Sequence, residues 1–435
     1  MSDLRTRLQR LKKGTPTGTQ REGGDVISSL RAEIGRVMMG KGTESPAMSD
    51  RKGPEIDALV PGQTYARGGF DLFVAREDYD TGHLHGNNRL EEIYNVLPEV
   101  IGGVTTDEGL EQFHADGALF IDTETTGLSG GTGTYAFMVG IGFFDGGRFV
   151  VEQFLMRNQA EEAEMLALLG ERLARSRFLV SFNGKSFDVP LLETRYILSR
   201  LDAELLQRPH LDLLYPARRI WKRSLQSCRL GNLETQLLGV ERVGDVPGEL
   251  IPGIYFDYLR TGNGSRLERV FYHNKLDILS MVTLTALVNR LLSDSKAVCR
   301  SDGLEQYSLG RIHLERGSLP EAEAAFLEAL RACPYGDREW EIVKHLSITY
   351  KRGKEWEKAV KAWQDMIALD ASRDIFPFIE LAKYYEHQVK DYARAIDYTL
   401  QAREVPFLSP MLEAEMDHRI VRLQRKLESG DTNPV

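Results

Sequence analysis

Hydrophobic and polar positions along the chain divide it into four segments of different character. Residues 1–54 are rich in Gly, Ser, Thr, Lys and Arg with little periodicity, which predicts a disordered basic tail. Residues 55–116 are ambiguous, because their pattern fits either a small antiparallel layer or an extension packed on the next domain. Residues 117–298 alternate strand-like and helix-like patterns, whereas residues 301–435 are typical of helical repeats.

The alternation of strand-like and helix-like patterns over residues 117–298 predicts an α/β domain, that is, a mixed sheet flanked by helices. Ala118–Thr125 begins as an apolar run and predicts a buried strand. Tyr135–Phe144 and Arg148–Met156 flank an Asp-Gly-Gly sequence, which is a strong hairpin signal. Three strands in a meander, followed by strand–helix alternation, are typical of a mixed sheet. The later predicted elements are helices over 161–176 and 189–201 and strands over 178–182 and 210–214.

The C-terminal third repeats a pattern of small and aromatic residues. Ala322 and Ala359 are 37 residues apart, and Ala395 follows 36 residues later, close to the period of tetratricopeptide repeats. One helix pair cannot bury its apolar face alone, so we expect an all-α domain of about three stacked units. A final helix over 411–428 would cap the stack. Further positions that fit the pattern are Leu309, Gly310, Phe326, Ala329, Pro334, Tyr350, Trp363, Tyr385 and Ala402.

The composition is that of a soluble globular protein, with 42% hydrophobic and 27% charged residues. No apolar run reaches the roughly 18–20 residues of a membrane span, and the N-terminal segment lacks the apolar core of a secretory signal. Three widely spaced cysteines form neither a disulfide framework nor a zinc pattern. We therefore expect a cytoplasmic protein with no membrane partner.

The net charge of −9 conceals a local basic run. An acidic total argues against a purely electrostatic nucleic-acid binder, but it permits one local basic channel. Tyr215–Leu230 contains five basic residues and no acidic one. With Arg218 and Arg219 it would line a channel for a nucleic-acid strand. A solvated amphipathic helix that buries Ile220 and Trp221 fits the same residues equally well.

Two carboxylates, Asp122 and Glu124, end the first predicted strand of the α/β domain. Residues i and i+2 of a strand point to the same face, so these side chains lie next to each other. Adjacent carboxylates repel, and both stay ionised only if a cation lies between them. The pair therefore predicts a divalent metal site that needs further ligands.

Two later segments offer such ligands. Asp188 ends the polar run Asn183–Asp188, which follows a buried strand at the sheet edge where α/β proteins place ligands. Taken alone, Asp188 is better explained as a cap of the helix that begins near Pro190. His273 and Asp277 are four residues apart and share one helix face, and alone they also fit a surface ion pair.

Together the three segments resemble the motifs of the DEDD (DnaQ-like) superfamily of 3′-to-5′ exonucleases, which have a ribonuclease-H-like fold. The chain is most similar to the YprB-like branch, in which such a domain is joined to tetratricopeptide repeats. Asp122 and Glu124 match the first motif, Asp188 matches the second, and Asp277, preceded by His273, matches the third. The three motifs occur in order, and the resemblance covers the whole α/β segment.

The resemblance implies that the protein hydrolyses phosphodiester bonds at the 3′ end of DNA or RNA by a two-metal mechanism. The four carboxylates would hold two Mg²⁺ or Mn²⁺ ions, since hard oxygen ligands without thiolates favour these metals. Family members place a Tyr four residues, or a His five residues, before the last Asp. Here the order is reversed, and His273 is assigned as the base because imidazole is the usual general base near neutral pH, with Tyr272 as the alternative. The implied substrate-binding residues are Thr125, Thr126, Gly127 and Asn183, in addition to Arg218 and Arg219.

Two functions remain open on the sequence. The first is a metal-dependent exonuclease whose helical repeats dock a protein partner. The second is a repeat-based scaffold whose nuclease fold has lost activity. Retention of all four carboxylates favours the first, because a buried carboxylate cluster without metal costs stability. The reversed order of the Tyr and His favours the second.

Overall fold

The computed structural model describes most of the chain outside its N-terminal segment. The predicted basic tail, up to residue 52, lies outside the described residues, and so does Pro334 of the repeat pattern. The described residues are 53–105, 107–127, 133–294, 303–332 and 337–429.

A mixed sheet of seven strands organises the described part of the α/β region. Its strands, with a separate two-stranded pair (β3 and β4), are β1 (Gly62–Arg67), β2 (Phe70–Asp80), β3 (Leu84–His85), β4 (Asn88–Arg89), β5 (Ala118–Thr125), β6 (Ala136–Asp145), β7 (Arg148–Leu155), β8 (Phe178–Ser181) and β9 (His210–Asp212). The order in the sheet is β1-β2-β7-β6-β5-β8-β9. Neighbours from β1 to β5 are antiparallel, and β5, β8 and β9 are parallel.

The strands follow the predicted apolar pattern closely. β5 covers the predicted strand, and the β6–β7 hairpin turns at Gly146 and Gly147, whose φ angles are +55° and +78°. Glycine adopts this left-handed backbone at no steric cost, as a tight hairpin requires. The predicted mixed sheet flanked by helices is confirmed.

The ambiguous segment 55–116 contributes directly to this sheet. It supplies β1 and β2, and β2 pairs with β7 from Val74–Phe154 to Asp80–Arg148. The segment is therefore an antiparallel layer that continues the sheet of the α/β domain.

Helices cover the sheet and then form the C-terminal region. The α-helices are α1 (Pro98–Gly102), α2 (Glu162–Leu173), α3 (Asp188–Leu198), α4 (Leu214–Trp221), α5 (Leu230–Leu233), α6 (Ile251–Thr261), α7 (Glu268–Ser293), α8 (Leu304–Arg316), α9 (Leu319–Ala332), α10 (Asp337–Arg352), α11 (Trp356–Leu369), α12 (Phe376–Tyr384), α13 (Tyr392–Arg403) and α14 (Pro410–Glu428). By length and composition α7 is apolar enough to cross a membrane, but 83% of its most apolar window is buried inside the protein. It is the central core helix, packed against β5, β6 and β7.

The C-terminal helices pack in successive pairs, α8 with α9, α10 with α11 and α12 with α13, and α14 closes the stack. Ala322, Ala359 and Ala395 are completely buried, as close helix packing requires. A Cβ on Gly310 would lie only 2.7 Å from the Phe326 ring, so this position must be glycine for the first pair to close. The predicted all-α C-terminal domain is confirmed.

The helical region and the α/β domain share one apolar core. Leu309 and Ile312 of α8 lie in the same cluster as Ile220 and Trp221 of α4. The Trp221 indole Nε1 also donates a 2.7 Å hydrogen bond to the fully buried carboxylate of Glu305. This buried contact fixes the orientation of the first repeat on the sheet domain.

Candidate active site

The carboxylate pair lies at the end of the central strand β5. Asp122 is opposite Gly140 of β6 and Glu124 is opposite Met138, so both side chains are on the same face. The register shifts between Glu124 and Thr125, immediately after the pair. Such bulges re-aim the chain at functional edges of sheets, and here the strand turns away directly beyond the two acids.

Asp188 begins α3, and its carboxylate is tied to the neighbouring strand. Its Oδ1 accepts hydrogen bonds from the backbone N–H of Thr123 at 3.1 Å and from the Thr123 hydroxyl at 2.5 Å. The turn before it places Asn183 at φ +68°, and Asp212 accepts hydrogen bonds from the N–H groups of Asn183 and Lys185. Asp212 at the end of β9 therefore holds the turn that delivers Asp188 to the pair.

Asp277 arrives from α7, with His273 one turn before it. The His273 Nδ1 lies 2.9 Å from an oxygen of Asp245, and its Nε2 lies 3.6 Å from Asp277 Oδ2. A ring that donates from Nδ1 to a carboxylate presents an unprotonated Nε2 when it is neutral. Asp245 therefore orients the basic nitrogen of His273 toward the carboxylate cluster.

The four carboxylates form one electrostatic unit. Removal from water raises the pKa of Asp122 and of Glu124 well above the usual range, and repulsion from the other acids raises both further. Burial raises the pKa of Asp188 to about 6. Burial also raises the pKa of Asp277, against the opposing effects of Arg242 and His273. The cluster therefore holds more negative charge than its protein surroundings neutralise.

One amide engages the first carboxylate. Asn274 of α7 donates a 2.8 Å hydrogen bond to Asp122 Oδ2, and its own oxygen accepts one from Gln153. This contact is possible because β6 carries a glycine opposite Asp122. A Cβ on Gly140 would lie 1.9 Å from Asn274 Oδ1, so any larger residue would displace the amide.

One guanidinium compensates the last carboxylate. Arg242 donates to both oxygens of the buried Glu234 at 2.5 Å, to Asp245 at 3.2 Å and to Asp277. Its charge lowers the pKa of Glu124 as well. Arg242 thus shares a single positive charge among several acids, which leaves the cluster negative.

The donor set fits a divalent metal in its chemistry. Hard carboxylate oxygens are the ligands that Mg²⁺ and Mn²⁺ prefer, and among the described residues no protein group donates a hydrogen bond to Glu124. However, no three His, Cys, Asp or Glu side chains of the described segments are already arranged to hold an ion. Three of the four acids instead accept hydrogen bonds from protein groups: Asp122 from Asn274, Asp188 from Thr123 and Asp277 from Arg242.

A cavity of about 240 Å³ opens beside the cluster and receives part of the predicted substrate-binding set. Polar lining residues include Asp122, Asp188, Thr125, Gly127 and Asn183, and the apolar ones are Phe182, Phe187 and Leu191. The cavity therefore combines acidic side chains with a polar loop at one sheet edge.

The other predicted substrate-binding residues are placed differently. Thr126 is buried and exchanges hydrogen bonds with the backbone of Tyr135, so it connects the end of β5 to the residue before β6. Arg219 bonds the Val104 carbonyl and Glu315 of α8, which places it at the contact between the two domains. Arg218 is exposed on α4.

The two candidate bases face different surroundings. The Tyr272 ring lies under the ammonium of Lys275 at 5.9 Å, and that ammonium pairs with Glu77. His273, in contrast, lies between Asp245 and Asp277. The arrangement favours His273 as the base.

Comparison with known proteins agrees with this architecture. A model described as RNase_H superfamily matches residues 119–289, which include all four carboxylates. Protein YprB of Bacillus subtilis (strain 168), described as uncharacterized, is 31% identical over 364 residues, which cover 82% of this chain and 86% of YprB. The chain belongs to the YprB family. Residues 119–289 therefore form a ribonuclease-H-superfamily domain, and nucleases of this superfamily generally use divalent metals.

A solved structure, the Cut9–Hcn1 hetero-tetramer of the APC/C, is also similar in part. It is 14% identical, the match covers 60% of this chain and 44% of that chain, and the TM-score is 0.26. A superposition this weak carries no argument about function.

The sequence did not predict Asn274, Asp245, Arg242 and Glu234, nor the supporting residues Thr123, Gly140 and Asp212. Asn274 follows His273 directly, and its position on a polar helix turn was the only available signal. Glu234, Arg242 and Asp245 lie between α5 and α6, in a segment without a periodic pattern. Their roles depend on tertiary contacts with α7 that no spacing along the chain reveals.

Proposed function

We propose that this YprB-family protein is a metal-dependent 3′-to-5′ exonuclease acting on DNA or RNA ends. The observation that supports this most is the meeting of Asp122, Glu124, Asp188 and Asp277, from three separate segments, at one strand end. Their raised pKa values mark them as groups that cannot all be ionised without cations.

The four carboxylates would hold two Mg²⁺ or Mn²⁺ ions. Bound there, the metals supply Lewis acidity that activates water and stabilises the leaving oxygen of the phosphodiester. Asn274 holds Asp122 in place, and the Thr123 hydroxyl and N–H hold Asp188. The residues of this chain thereby fix the acids on rigid elements before substrate binds.

His273 serves as the general base in this proposal. With Nδ1 held by Asp245, its Nε2 is free to accept a proton from the attacking water. The cavity lined by Thr125, Gly127 and Asn183 receives the terminal nucleotide. The helical repeats dock a protein partner, and the protein acts in the cytoplasm.

Hydrolysis by the purified full-length protein tests the proposal. Oligonucleotides of DNA and RNA are incubated with Mg²⁺, Mn²⁺ or EDTA, and products are resolved by length. We expect metal-dependent shortening that is lost in Asp122→Asn and in Asp277→Asn. The matched control is Asp257→Asn, an exposed acid of α6 that pairs with the surface residues Arg260 and Arg266. No shortening with any metal would refute the proposal and favour the scaffold function.

The scaffold alternative rests on one specific observation. The end of the repeat stack exposes apolar side chains, since Phe407 is fully exposed and Met411 is 70% exposed. Such side chains are typical of protein contacts. If the repeats carry the function, Phe407→Asp with Met411→Asp would abolish binding of a co-purifying protein, while Asp122→Asn would leave it intact.

A further inference from the structure

A cavity of about 380 Å³ lies where the nuclease-like domain meets the helical repeats. Three arginines line it, and they come from both domains: Arg223 from the segment after α4, Arg338 from α10 and Arg373 from the segment before α12. One acidic residue, Glu341, lines it as well and pairs with Arg373 at 3.4 Å. The cavity therefore carries an excess of positive charge in an otherwise acidic chain.

Aromatic rings support these cations. The Arg223 guanidinium lies 5.7 Å from the centroid of the Tyr307 ring, and that of Arg373 lies 4.7 Å from the Trp340 ring. Among the described residues, no carboxylate forms an ion pair with Arg223 or Arg338. Arg223, which packs against the Tyr307 ring, and Arg338 thus carry charge that no described carboxylate neutralises.

A row of exposed side chains connects this cavity to the candidate active site. Tyr215 and Arg218 of α4, and Lys222 directly after it, recur at a spacing of three and four residues and are all exposed. At the near end, the ammonium of Lys185 lies 5.8 Å from the Tyr215 ring, and Lys185 belongs to the turn that delivers Asp188. At the far end lies Arg223. Tyr215 and Arg223 are eight residues apart, which corresponds to about 12 Å at the helical rise of 1.5 Å per residue.

The contact between the domains makes this row a fixed feature. Arg219 bonds Glu315, and the Trp221 indole bonds the buried Glu305, so the inner face of α4 is held by α8. Arg223 comes from the nuclease-like domain, and Arg338 and Arg373 come from the helical region, so neither part alone supplies the basic lining.

We infer that the row on α4 and the cavity between the domains bind a single strand of nucleic acid several nucleotides away from its 3′ end. This inference rests on the proposed function for the identity of the anion. A positively charged groove with aromatic rings is the usual way to hold a strand without sequence preference. The cavity volume of about 380 Å³ lies within the range of pockets that hold one small ligand, which is enough for a nucleotide-sized group. The helical repeats therefore contribute to substrate binding, beyond any protein docking.

Binding of labelled oligonucleotides tests this inference independently of catalysis. Full-length protein carrying Asp122→Asn, to prevent hydrolysis, is titrated against fluorescent thymidine oligomers of 4 and 20 nucleotides. The second protein carries Arg223→Glu and Arg338→Glu in addition. We expect at least a tenfold loss of affinity for the 20-mer and little change for the 4-mer. The slope of log affinity against log salt should fall by about two, one for each phosphate contact removed.

Two further proteins serve as controls. Arg331→Glu with Arg394→Glu makes the same change of charge on α9 and α13, where these side chains are 73% and 66% exposed, and should leave the affinity for the 20-mer unchanged. Arg338→Lys keeps the charge and should retain most of the affinity. Equal affinity of the cavity variant and its parent for the 20-mer would overturn the inference. Binding of a glutamate-rich peptide, with no affinity for the 20-mer, would also overturn it and identify a site for acidic protein segments.

The outcome separates this inference from the proposed function. If the 20-mer binds in a manner that requires Arg338 but the unaltered protein never hydrolyses a strand, the nucleic-acid site is supported and the nuclease is refuted. If the unaltered protein hydrolyses strands with metal but the cavity arginines do not affect binding, the nuclease is supported and the nucleic-acid site is refuted.

Discussion

Arg242 provides a quantitative test of how the acidic site is held together. It donates two hydrogen bonds of 2.5 Å to Glu234, whose side chain is 1% exposed, and further bonds to Asp245 and Asp277. Replacement by methionine keeps the aliphatic length but removes the only guanidinium that the described structure places among these acids. Glu234 would then be a buried charge, and among the described side chains only the Ser280 hydroxyl would still donate a hydrogen bond to it.

Breaking a buried pair by removing one partner typically costs about 3–5 kcal/mol. For a domain of this size that corresponds to a fall in Tm of about 10 °C. We therefore expect Arg242→Met to unfold about 10 °C below the unaltered protein in thermal denaturation without added metal. Arg242→Lys should lose about half as much, because an ammonium keeps the charge without the planar fork that meets both Glu234 oxygens.

The matched control is Arg260→Met. Arg260 pairs with Asp257 at the surface, where the two side chains are 69% and 44% exposed, and such pairs contribute about 0–1 kcal/mol. If Arg242→Met and Arg260→Met unfold at the same temperature, Arg242 is not the internal counter-ion of the site.

Three further predictions concern the surroundings of the site. Asp245→Asn should lower kcat about tenfold or more with KM unchanged in steady-state hydrolysis, because the orientation of His273 is lost while substrate contacts remain. Gly140→Ala should displace Asn274 and lower both Tm and activity. The control Gly253→Ala in α6 should lower neither, because there is open space around that position. Burial lowers the pKa of His85 to about 4 in the folded protein, whereas a histidine of the unfolded chain is protonated below about pH 6.5. Because only the unfolded chain takes up this proton between these values, the free energy of unfolding falls as the pH drops from about 6.5 to about 4. Urea denaturation at pH 7 and pH 4.5 should show this fall reduced in His85→Gln; an identical fall would contradict the assignment.

The carboxylates could be predicted because their signals are local. Asp122 and Glu124 follow an apolar strand at period two, and the structure places them on one face as that period requires. The fold class followed in the same way, from apolar runs and a glycine turn. Local patterns that coincide with element ends carry most of this information.

The basic run shows where local pattern stops. The sequence could not decide whether Tyr215–Leu230 lines a channel or buries an apolar helix face, and in the structure Ile220 and Trp221 are both completely buried. Arg218 and Arg219 are adjacent, yet one is exposed and the other bonds Glu315. Only the position of α8 separates their roles, and no spacing within α4 encodes it.

The same limit applies to the residues that hold His273. Asp245 lies in a segment without regular structure, 28 residues before its partner, and makes its contact only because α7 passes beside that segment. A carboxylate in such a segment has no sequence signature that separates it from a solvated one.

The polarity of strand degradation is the most direct test of the proposed 3′-to-5′ exonuclease activity. One oligonucleotide labelled at its 5′ end and one labelled at its 3′ end are incubated with the full-length protein and Mn²⁺ over a time course. A 3′-to-5′ exonuclease produces a ladder of progressively shorter 5′-labelled strands and releases the 3′ label immediately as a mononucleotide, and we expect neither with Asp122→Asn. Release of the 5′ label first, cleavage only at internal positions, or intact strands at every time would contradict the proposed activity.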